Sequence, residues 1–265
     1  MSLKSQILEL YNKTEYNETD KKLFLEFRNE LKTGEIRAAE KIDGKWNTND
    51  WVKKGILAGF KMGAVVQQGN FMDKDTYPIQ DITNRKNVRF VPGGSSIREG
   101  AYIGENVIMM PPMYINVGAY VDDGTMIDSH ALVGACAQVG KNVHLSAASQ
   151  LGGVLEPISA NPVIIEDNVF IGGNCGIYEG VIVEQNAIIA AGVIITAGTP
   201  VFDSINKHFL TKDENGSLHI PQGAVVISGT RKMKNNDDFS IYCPIIIKYR
   251  DEKSDRSVTL EDALR

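Results

Sequence analysis

The chain has few cysteines and no long apolar run, and both features narrow what it can be. Its three cysteines, Cys136, Cys175 and Cys243, are an odd number and form no CxxC pair. That usage is typical of free thiols in a reducing compartment rather than of a disulfide framework. No stretch approaches the ~18 apolar residues that a membrane span needs. Because residues 1–11 lack the continuous apolar core of a secretory signal, a cytoplasmic location is expected.

An excess of positive charge is also missing. The formal net charge is −5 at pH 7, which argues against nucleic acid or an anionic membrane as a partner of the whole chain. The sequence contains no P-loop, no GxGxxG after a strand and no HExxH. These motifs would have indicated nucleotide binding or zinc-dependent hydrolysis, so the function has to be sought in another pattern.

The pattern that is present is an aliphatic residue at every sixth position. The first run is Val91, Ile97, Ile103, Met109, Ile115, Val121, Ile127, Val133, Val139, Leu145 and Leu151, and after a slip of two residues the second is Ile165, Ile171, Ile177, Val183, Ile189, Ile195 and Val201. A period of six fits neither a helix nor an ordinary strand, but it is the period of a parallel β-helix with about six coils. Hexapeptide coils of this kind are left-handed in the known families, although the period alone does not fix the hand. Gly, Asn or Asp often follows the aliphatic residue by one or two places, which predicts positive φ there.

The rest of the chain flanks this solenoid. Residues 1–87 are predicted to form a mainly α-helical N-terminal domain, with helices over 2–32 and 51–60. Residues 88–229 form the β-helix domain, interrupted by a short loop at 154–162 and by a β-hairpin at 202–222. Residues 230–265 are expected to supply a C-terminal strand (241–249) and a terminal helix (257–264). The helical domain and the C-terminal segment are expected to cover the open ends of the solenoid.

One stretch, Gly118–Pro157, resembles the tetrahydrodipicolinate N-succinyltransferases of lysine and diaminopimelate biosynthesis. The resemblance covers the solenoid and the C-terminal strand and is loose in the N-terminal domain, where it centres on residues 51–60. Similar segments are Val88–Pro92, Gly100–Pro111, Val163–Gly172, Tyr178–Glu184 and Ala224–Gly229. It implies a left-handed β-helix, a homotrimer with active sites between prisms, succinyl-CoA as donor and a cyclic dicarboxylate imine as acceptor.

The resemblance also implies site residues. Arg89 falls on the family's arginine and is expected to bind a substrate carboxylate, because a guanidinium makes bidentate contacts and stays charged. Asp128 falls on the family's substrate-binding aspartate and is expected to hold or deprotonate the attacking amine. Spacing alone favours Asp128 as a turn former, since Asp122 lies in the same register.

At one position the chain departs from the family pattern. Many members carry a glutamate forty-eight residues after the aspartate, where this sequence has Gly176. Glu179 is the carboxylate nearby, and we interpret it as a second catalytic candidate. Either this branch builds its site differently or Glu179 performs that task.

The coenzyme is expected in a groove between prisms. Gly192 and Ala197 are predicted to border that groove, and Arg231 and Lys232 are candidates for the coenzyme's phosphates. The alternative for the basic run at 230–234 is a solvated loop. No metal and no permanently bound cofactor are predicted.

Other interpretations stay open. His144, and less so His130, could act as a base, but a lone histidine is more often structural. The N-acetyltransferase of the same pathway is a close alternative. A γ-type carbonic anhydrase would need three histidines around zinc, whereas the solenoid offers His130 and His144. A non-enzymatic solenoid predicts flat, repetitive outer faces, which the loops at 154–162 and 202–222 contradict.

Overall fold

A computed structural model describes residues 1–85 and 87–250, and most of this part of the chain winds into a left-handed parallel β-helix. Three sheets form the three sides of the prism. Sheet A contains β5 (Arg89–Phe90), β8 (Ile108–Met109), β11 (Met126–Ile127), β14 (His144–Leu145), β17 (Phe170–Ile171), β20 (Ile188–Ile189) and β25 (Ala224–Ile227). Sheet B contains β6 (Ser96–Ile97), β9 (Tyr114–Ile115), β12 (Leu132–Val133), β15 (Gln150–Leu151), β18 (Gly176–Ile177) and β21 (Ile194–Ile195). Sheet C contains β7 (Tyr102–Ile103), β10 (Tyr120–Val121), β13 (Gln138–Val139), β16 (Ile164–Ile165), β19 (Val181–Val183) and β24 (Leu218–Ile220).

The sixfold period sets the register of these strands. Val121 pairs with Ile103 in the coil below and with Val139 in the coil above, so three hexapeptides make one turn. The predicted aliphatic residues from Ile97 to Val201 are buried and form one continuous core inside the prism. Burial of this apolar stack supplies most of the stabilisation of the solenoid.

The prediction that Val91 is the first inward residue of the aliphatic series is wrong. Phe90, not Val91, pairs with Met109 in the next coil, and Val91 is only half-buried. The following corner holds one extra residue, and Gly93 and Gly94 pass through it with φ of 147° and 89°. Glycine adopts such backbone conformations without steric cost.

The predicted positions of positive φ are also wrong. Positive φ occurs three places after the buried aliphatic residue, as at Asn106, Asn142, Asn168 and Asn186. The glycines one place after the aliphatic residue are explained by crowding instead. A Cβ on Gly134 would lie 2.1 Å from the backbone nitrogen of Gly153. There the backbone of the next coil leaves no room for a side chain.

The N-terminal residues form three helices and two hairpins. The helices are α1 (Leu3–Tyr11), α2 (Glu18–Thr33) and α3 (Asp50–Met62), and Asn17 and Asp20 form a capping box at the start of α2. Antiparallel pairs β1–β2 (Ala39–Ile42, Lys45–Thr48) and β3–β4 (Val65–Gln68, Phe71–Lys74) occupy stretches that the sequence pattern left irregular. The division into domains at residues 87 and 229 stays a prediction.

The helices and hairpins lie against a side of the prism, whereas the segment that follows them reaches the first coil. The guanidinium carbon of Arg37 lies 3.6 Å from the centre of the Tyr120 ring on sheet C, and Trp46 packs against Ile164 and Ile182. Ile82 joins the core of the first coil. Sheet C is therefore covered, while sheets A and B carry half-buried outward side chains.

The C-terminal part differs from the prediction. The hairpin near 202–222 joins β22 (Phe202–Asp203) to β23 (His208–Phe209), and Leu218–Ile220 instead returns to sheet C as β24, parallel to β19. Beyond the last coil, β26 (Thr230–Met233) and β27 (Asn236–Tyr242) form a further hairpin, and β28 (Ile245–Tyr249) runs antiparallel to β25. The predicted helix at 257–264 lies outside the described residues.

Candidate active site

The two sides of the prism that the N-terminal elements leave uncovered carry the predicted site residues. The outward column of sheet A is Arg89, Ile108, Met126, His144, Phe170 and Ile188, and that of sheet B is Ser96, Tyr114, Leu132, Gln150, Gly176 and Ile194. Both columns are largely apolar with isolated polar groups, a composition typical of a substrate site.

Asp128 lies at the corner that joins sheet A to sheet B, directly after β11. Its Oδ1 atom accepts a hydrogen bond of 2.6 Å from the backbone N–H of Ser129. Asp122 accepts an equivalent bond of 2.8 Å from Asp123, so both aspartates shape turns as spacing alone suggested. The other carboxylate oxygen of Asp128 accepts no hydrogen bond from the part of the chain that the structure describes, which leaves it able to bind a ligand.

Arg89 stands on the first rung of sheet A, with an exposed side chain. Asp128 follows the third rung, so the two backbones are about 10 Å apart along the prism axis at ~4.8 Å per rung. A long guanidinium side chain can span much of that distance. The structure therefore brings both residues to the same region of one prism without direct contact.

Glu179 lies elsewhere, at the corner between sheets B and C, and it is exposed. Within one chain the structure does not bring it together with Asp128. Gly176 occupies an outward position on sheet B and is buried, because the ring of Tyr178 lies over it. A Cβ on Gly176 would come within 2.6 Å of Cε2 and 3.0 Å of the hydroxyl oxygen of Tyr178. Sequence reasoning missed this tyrosine.

The predicted coenzyme residues meet at the C-terminal end of sheet B. Gly192 and Ala197 lie on either side of β21, and a Cβ on Gly192 would meet open space. Ser228 Oγ donates a hydrogen bond of 3.4 Å to the Gly192 carbonyl.

The basic hairpin adjoins the same strand. The backbone N–H of Ile194 donates a 2.7 Å hydrogen bond to the Tyr242 hydroxyl on β27, and Thr230 pairs with Tyr242. Arg231, the next residue on β26, packs over Phe209 at 5.7 Å, and its buried Nε has no hydrogen-bond partner within the described ranges. Lys232 is exposed beside it. The run at 230–234 is thus part of a β-hairpin rather than a loop.

The histidines and cysteines considered as catalytic candidates lie in different surroundings. The ring centre of His144 lies 4.9 Å from that of Phe170 on sheet A, while His130 lies at the A–B corner with a φ of 63°. Among the described residues, no three His, Cys, Asp or Glu side chains are placed to hold a metal ion. Burial raises the pKa of Cys136 to about 12 and also raises the pKa of Cys175, which disfavours a thiolate nucleophile at either position.

A cleft of about 930 Å³ lies away from these residues, between the β1–β2 hairpin and sheet C. In it the two ring nitrogens of His219 lie 3.0 Å from Glu184 Oε1 and 3.1 Å from Asp213 Oδ2, and the carboxylate oxygens accept. The Glu184 carboxylate is the main cause of a raised His219 pKa. His219, Glu184 and Asp213 therefore bind one another in this cleft. Sequence spacing did not predict the cluster, because its members come from different coils and a loop.

Lys53 is a further residue that sequence reasoning missed. It lies on α3 and is fully buried, yet its ammonium group donates to the carbonyls of Ile158, at 2.8 Å, and Ala160. It therefore fixes the predicted 154–162 loop against the helices. Burial lowers the pKa of its ammonium group, because the charged form loses contact with water.

No helix in the described ranges is long and apolar enough to cross a membrane.

Comparison with known proteins gives consistent matches along the chain. Residues 162–197 match the family described as hexapeptide repeat of succinyl-transferase, and residues 2–62 match the family described as tetrahydrodipicolinate N-succinyltransferase N-terminal. The match thus includes the N-terminal helices, where the resemblance read from residues alone was loose.

Several curated relatives share one name, 2,3,4,5-tetrahydropyridine-2,6-dicarboxylate N-succinyltransferase. The protein of Sodalis glossinidius is 42% identical over 246 residues, which is 89% of this chain and 85% of the relative. That of Acinetobacter baylyi is 42% identical, with 89% and 86% covered. A solved structure, a proposed 2,3,4,5-tetrahydropyridine-2-carboxylate N-succinyltransferase of Campylobacter jejuni, is 18% identical with a TM-score of 0.48, covering 88% of this chain and 64% of that one.

Proposed function

We propose, from the premise that this chain belongs to the tetrahydrodipicolinate N-succinyltransferase family, that it transfers a succinyl group from succinyl-CoA to the nitrogen of tetrahydrodipicolinate. The reaction belongs to diaminopimelate and lysine biosynthesis. The observation that carries the proposal is the 42% identity over 89% of the chain, a share larger than the solenoid alone. We place the enzyme in the cytoplasm.

The active unit in this proposal is a homotrimer. A three-sided prism in a threefold assembly turns two sides toward its neighbours and one side outward. Sheet C is already covered by the N-terminal elements, so sheets A and B are the sides left for the neighbours. Apolar outward residues such as Met126 and Phe170 on sheet A and Leu132 on sheet B support such contacts. The substrates then bind in the crevices between protomers.

The acceptor is bound near the A–B corner. Arg89 holds a substrate carboxylate, and the unoccupied carboxylate oxygen of Asp128 accepts the proton of the attacking amine. Water first adds across the C=N bond of the cyclic imine, which turns its nitrogen into an amine with a proton to lose. That nitrogen forms its bond to the thioester carbonyl carbon and gives its proton to Asp128. The carbon–sulfur bond breaks, and the proton passes from Asp128 to the departing thiolate. Glu179 enters this site only from a neighbouring protomer, and we retain it as a second catalytic carboxylate whose glutamine variant should slow turnover on the order of tenfold or more.

Succinyl-CoA lies along the C-terminal end of sheet B. The backbone at Gly192 faces open space, and Ala197 borders the same strand. The cationic side chains of Arg231 and Lys232 supply positive charge for the coenzyme's phosphates. The N-acetyltransferase alternative shares this arrangement and differs in the acyl group. A terminal carboxylate on the donor requires a cation or N–H donor that an acetyl group does not need.

The test is an assay of free-thiol release with purified protein, succinyl-CoA and the cyclic imine. Asp128→Asn should lower the rate about 100-fold or more, because it removes the proton acceptor. Asp122→Asn is the matched control, since Asp122 makes the same turn hydrogen bond one coil side earlier; its rate should stay within about twofold. Full activity of Asp128→Asn would remove Asp128 from the mechanism.

A further inference from the structure

Tyr178 lies in a slot made by two glycines on the side of sheet B. A Cβ on Gly152, in the coil below, would come within 2.7 Å of its Cδ1 atom, and one on Gly176 would come within 2.6 Å of Cε2. No side chain larger than hydrogen at either position is compatible with this ring orientation. The ring packs against the backbone of both glycines, which places its hydroxyl beside Gly176 on sheet B.

The hydroxyl is the polar feature of that slot. Tyr178 is half-buried, and within the described ranges its hydroxyl makes no hydrogen bond to another residue, whereas those of Tyr77 and Tyr242 do. A phenol O–H can both donate and accept, and a half-buried one without a partner is able to bind a ligand without first losing a protein contact.

The position relative to the other site residues points to the acceptor. Gly176 stands two rungs above Leu132, the strand that follows Asp128, and one rung below Ile194, where the coenzyme residues meet. Along the prism axis, Tyr178 therefore lies between the level of Asp128 and the level of Ile194. It also fills the space of the side chain at 176, where the family resemblance places a substrate-contacting glutamate.

We infer that the Tyr178 hydroxyl donates a hydrogen bond to a polar group of the acceptor and determines the affinity for it. In this chain it would take the place of the glutamate that the family resemblance puts at position 176. The inference rests on the proposed function. A neutral phenol leaves Asp128 as the proton acceptor at the nitrogen, so Tyr178 is a binding residue and not a second base. It also accounts for the glycines at 152 and 176, where a Cβ would displace the ring.

The test is steady-state kinetics of Tyr178→Phe, which keeps the ring in its slot and removes only the hydroxyl. The KM for the cyclic imine should rise about 10- to 100-fold, as expected for one lost hydrogen bond to a charged or polar ligand, while the KM for succinyl-CoA stays within about twofold. Gly176→Ala keeps the hydroxyl but displaces the ring, and should raise the same KM. Tyr102→Phe, on the covered sheet C, is the control and should match the unmodified protein.

An unchanged acceptor KM in Tyr178→Phe would overturn the inference, as would a loss confined to kcat or an equal rise in both KM values. Absence of turnover in the unmodified protein would instead contradict the proposed function. Urea unfolding of each variant separates a binding defect from a folding defect: an acceptor KM that rises only in step with lost stability would also overturn the inference.

Discussion

The ammonium group of Lys53 lies 2.8 Å from the carbonyl oxygen of Ile158, 105 residues away along the chain. This contact ties helix α3 to the loop that interrupts the solenoid, and Lys53 has no solvent exposure. Lys53→Met should lower the free energy of unfolding by about 2 kcal/mol, because buried carbonyls lose a charged donor. Urea denaturation measures this.

The matched control for that variant is Lys54→Met, on the half-buried side of the same helix. Its unfolding free energy should change by no more than about 0.5 kcal/mol. Equal effects of the two substitutions would show that the Lys53 contacts do not stabilise the loop.

Stability should depend on pH through His219. Its pKa is raised above 6.5, chiefly by the Glu184 carboxylate, so the folded state binds the proton more tightly than the unfolded state. The contribution is fully present below the unfolded value and is lost as pH rises through the folded value. The pKa values of Glu184 and Asp213 are lowered from 4.5 and 3.8, so their contribution is lost as pH falls.

Unfolding free energies measured at about pH 6 and about pH 9 test this dependence. The protein should be less stable at the higher pH, and His219→Gln should show a smaller difference because the titrating group is gone. An identical pH dependence in both proteins would show that the His219 contacts do not carry it.

Two glycines with nearly equal positive φ separate the cost of conformational strain from the cost of crowding. Gly118 has a φ of 73° and Gly44 a φ of 79°, but a Cβ on Gly118 would lie 2.7 Å from Ile56 Cδ1, whereas one on Gly44 would meet nothing within 4 Å. Gly44→Ala should cost about 1 kcal/mol from strain alone. Gly118→Ala should cost about 3 kcal/mol, since overpacking adds to the strain. Equal losses in thermal unfolding would refute the role of the Ile56 contact.

The prediction of the fold from sequence succeeded where one period governs every coil. The buried stack from Ile97 to Val201 follows directly from that period, since each inward position faces the same apolar core. The prediction failed at Val91, because a glycine turn changes the length of the first corner. The glycines that follow the aliphatic residues were predicted to have positive φ, but most are needed because the next coil passes close to them. A local sequence pattern does not report the distance between coils.

The roles of the predicted site residues stay predictions. The structure places Arg89 on sheet A, Asp128 at the corner between sheets A and B, and Gly192 beside the last strand of sheet B. The position of the Tyr178 ring was not predicted, because it depends on two glycines in different coils. Residues such as Lys53 and His219 act through partners far away in sequence, and no spacing rule links them.

The most direct measurement of the central claim is a donor competition. The protein is given equimolar succinyl-CoA and acetyl-CoA with limiting cyclic imine, and the acylated products are identified by mass spectrometry. The N-succinyl product should predominate and should be absent when the imine is omitted. A predominance of the N-acetyl product, or no acylated product from either donor, would contradict the account.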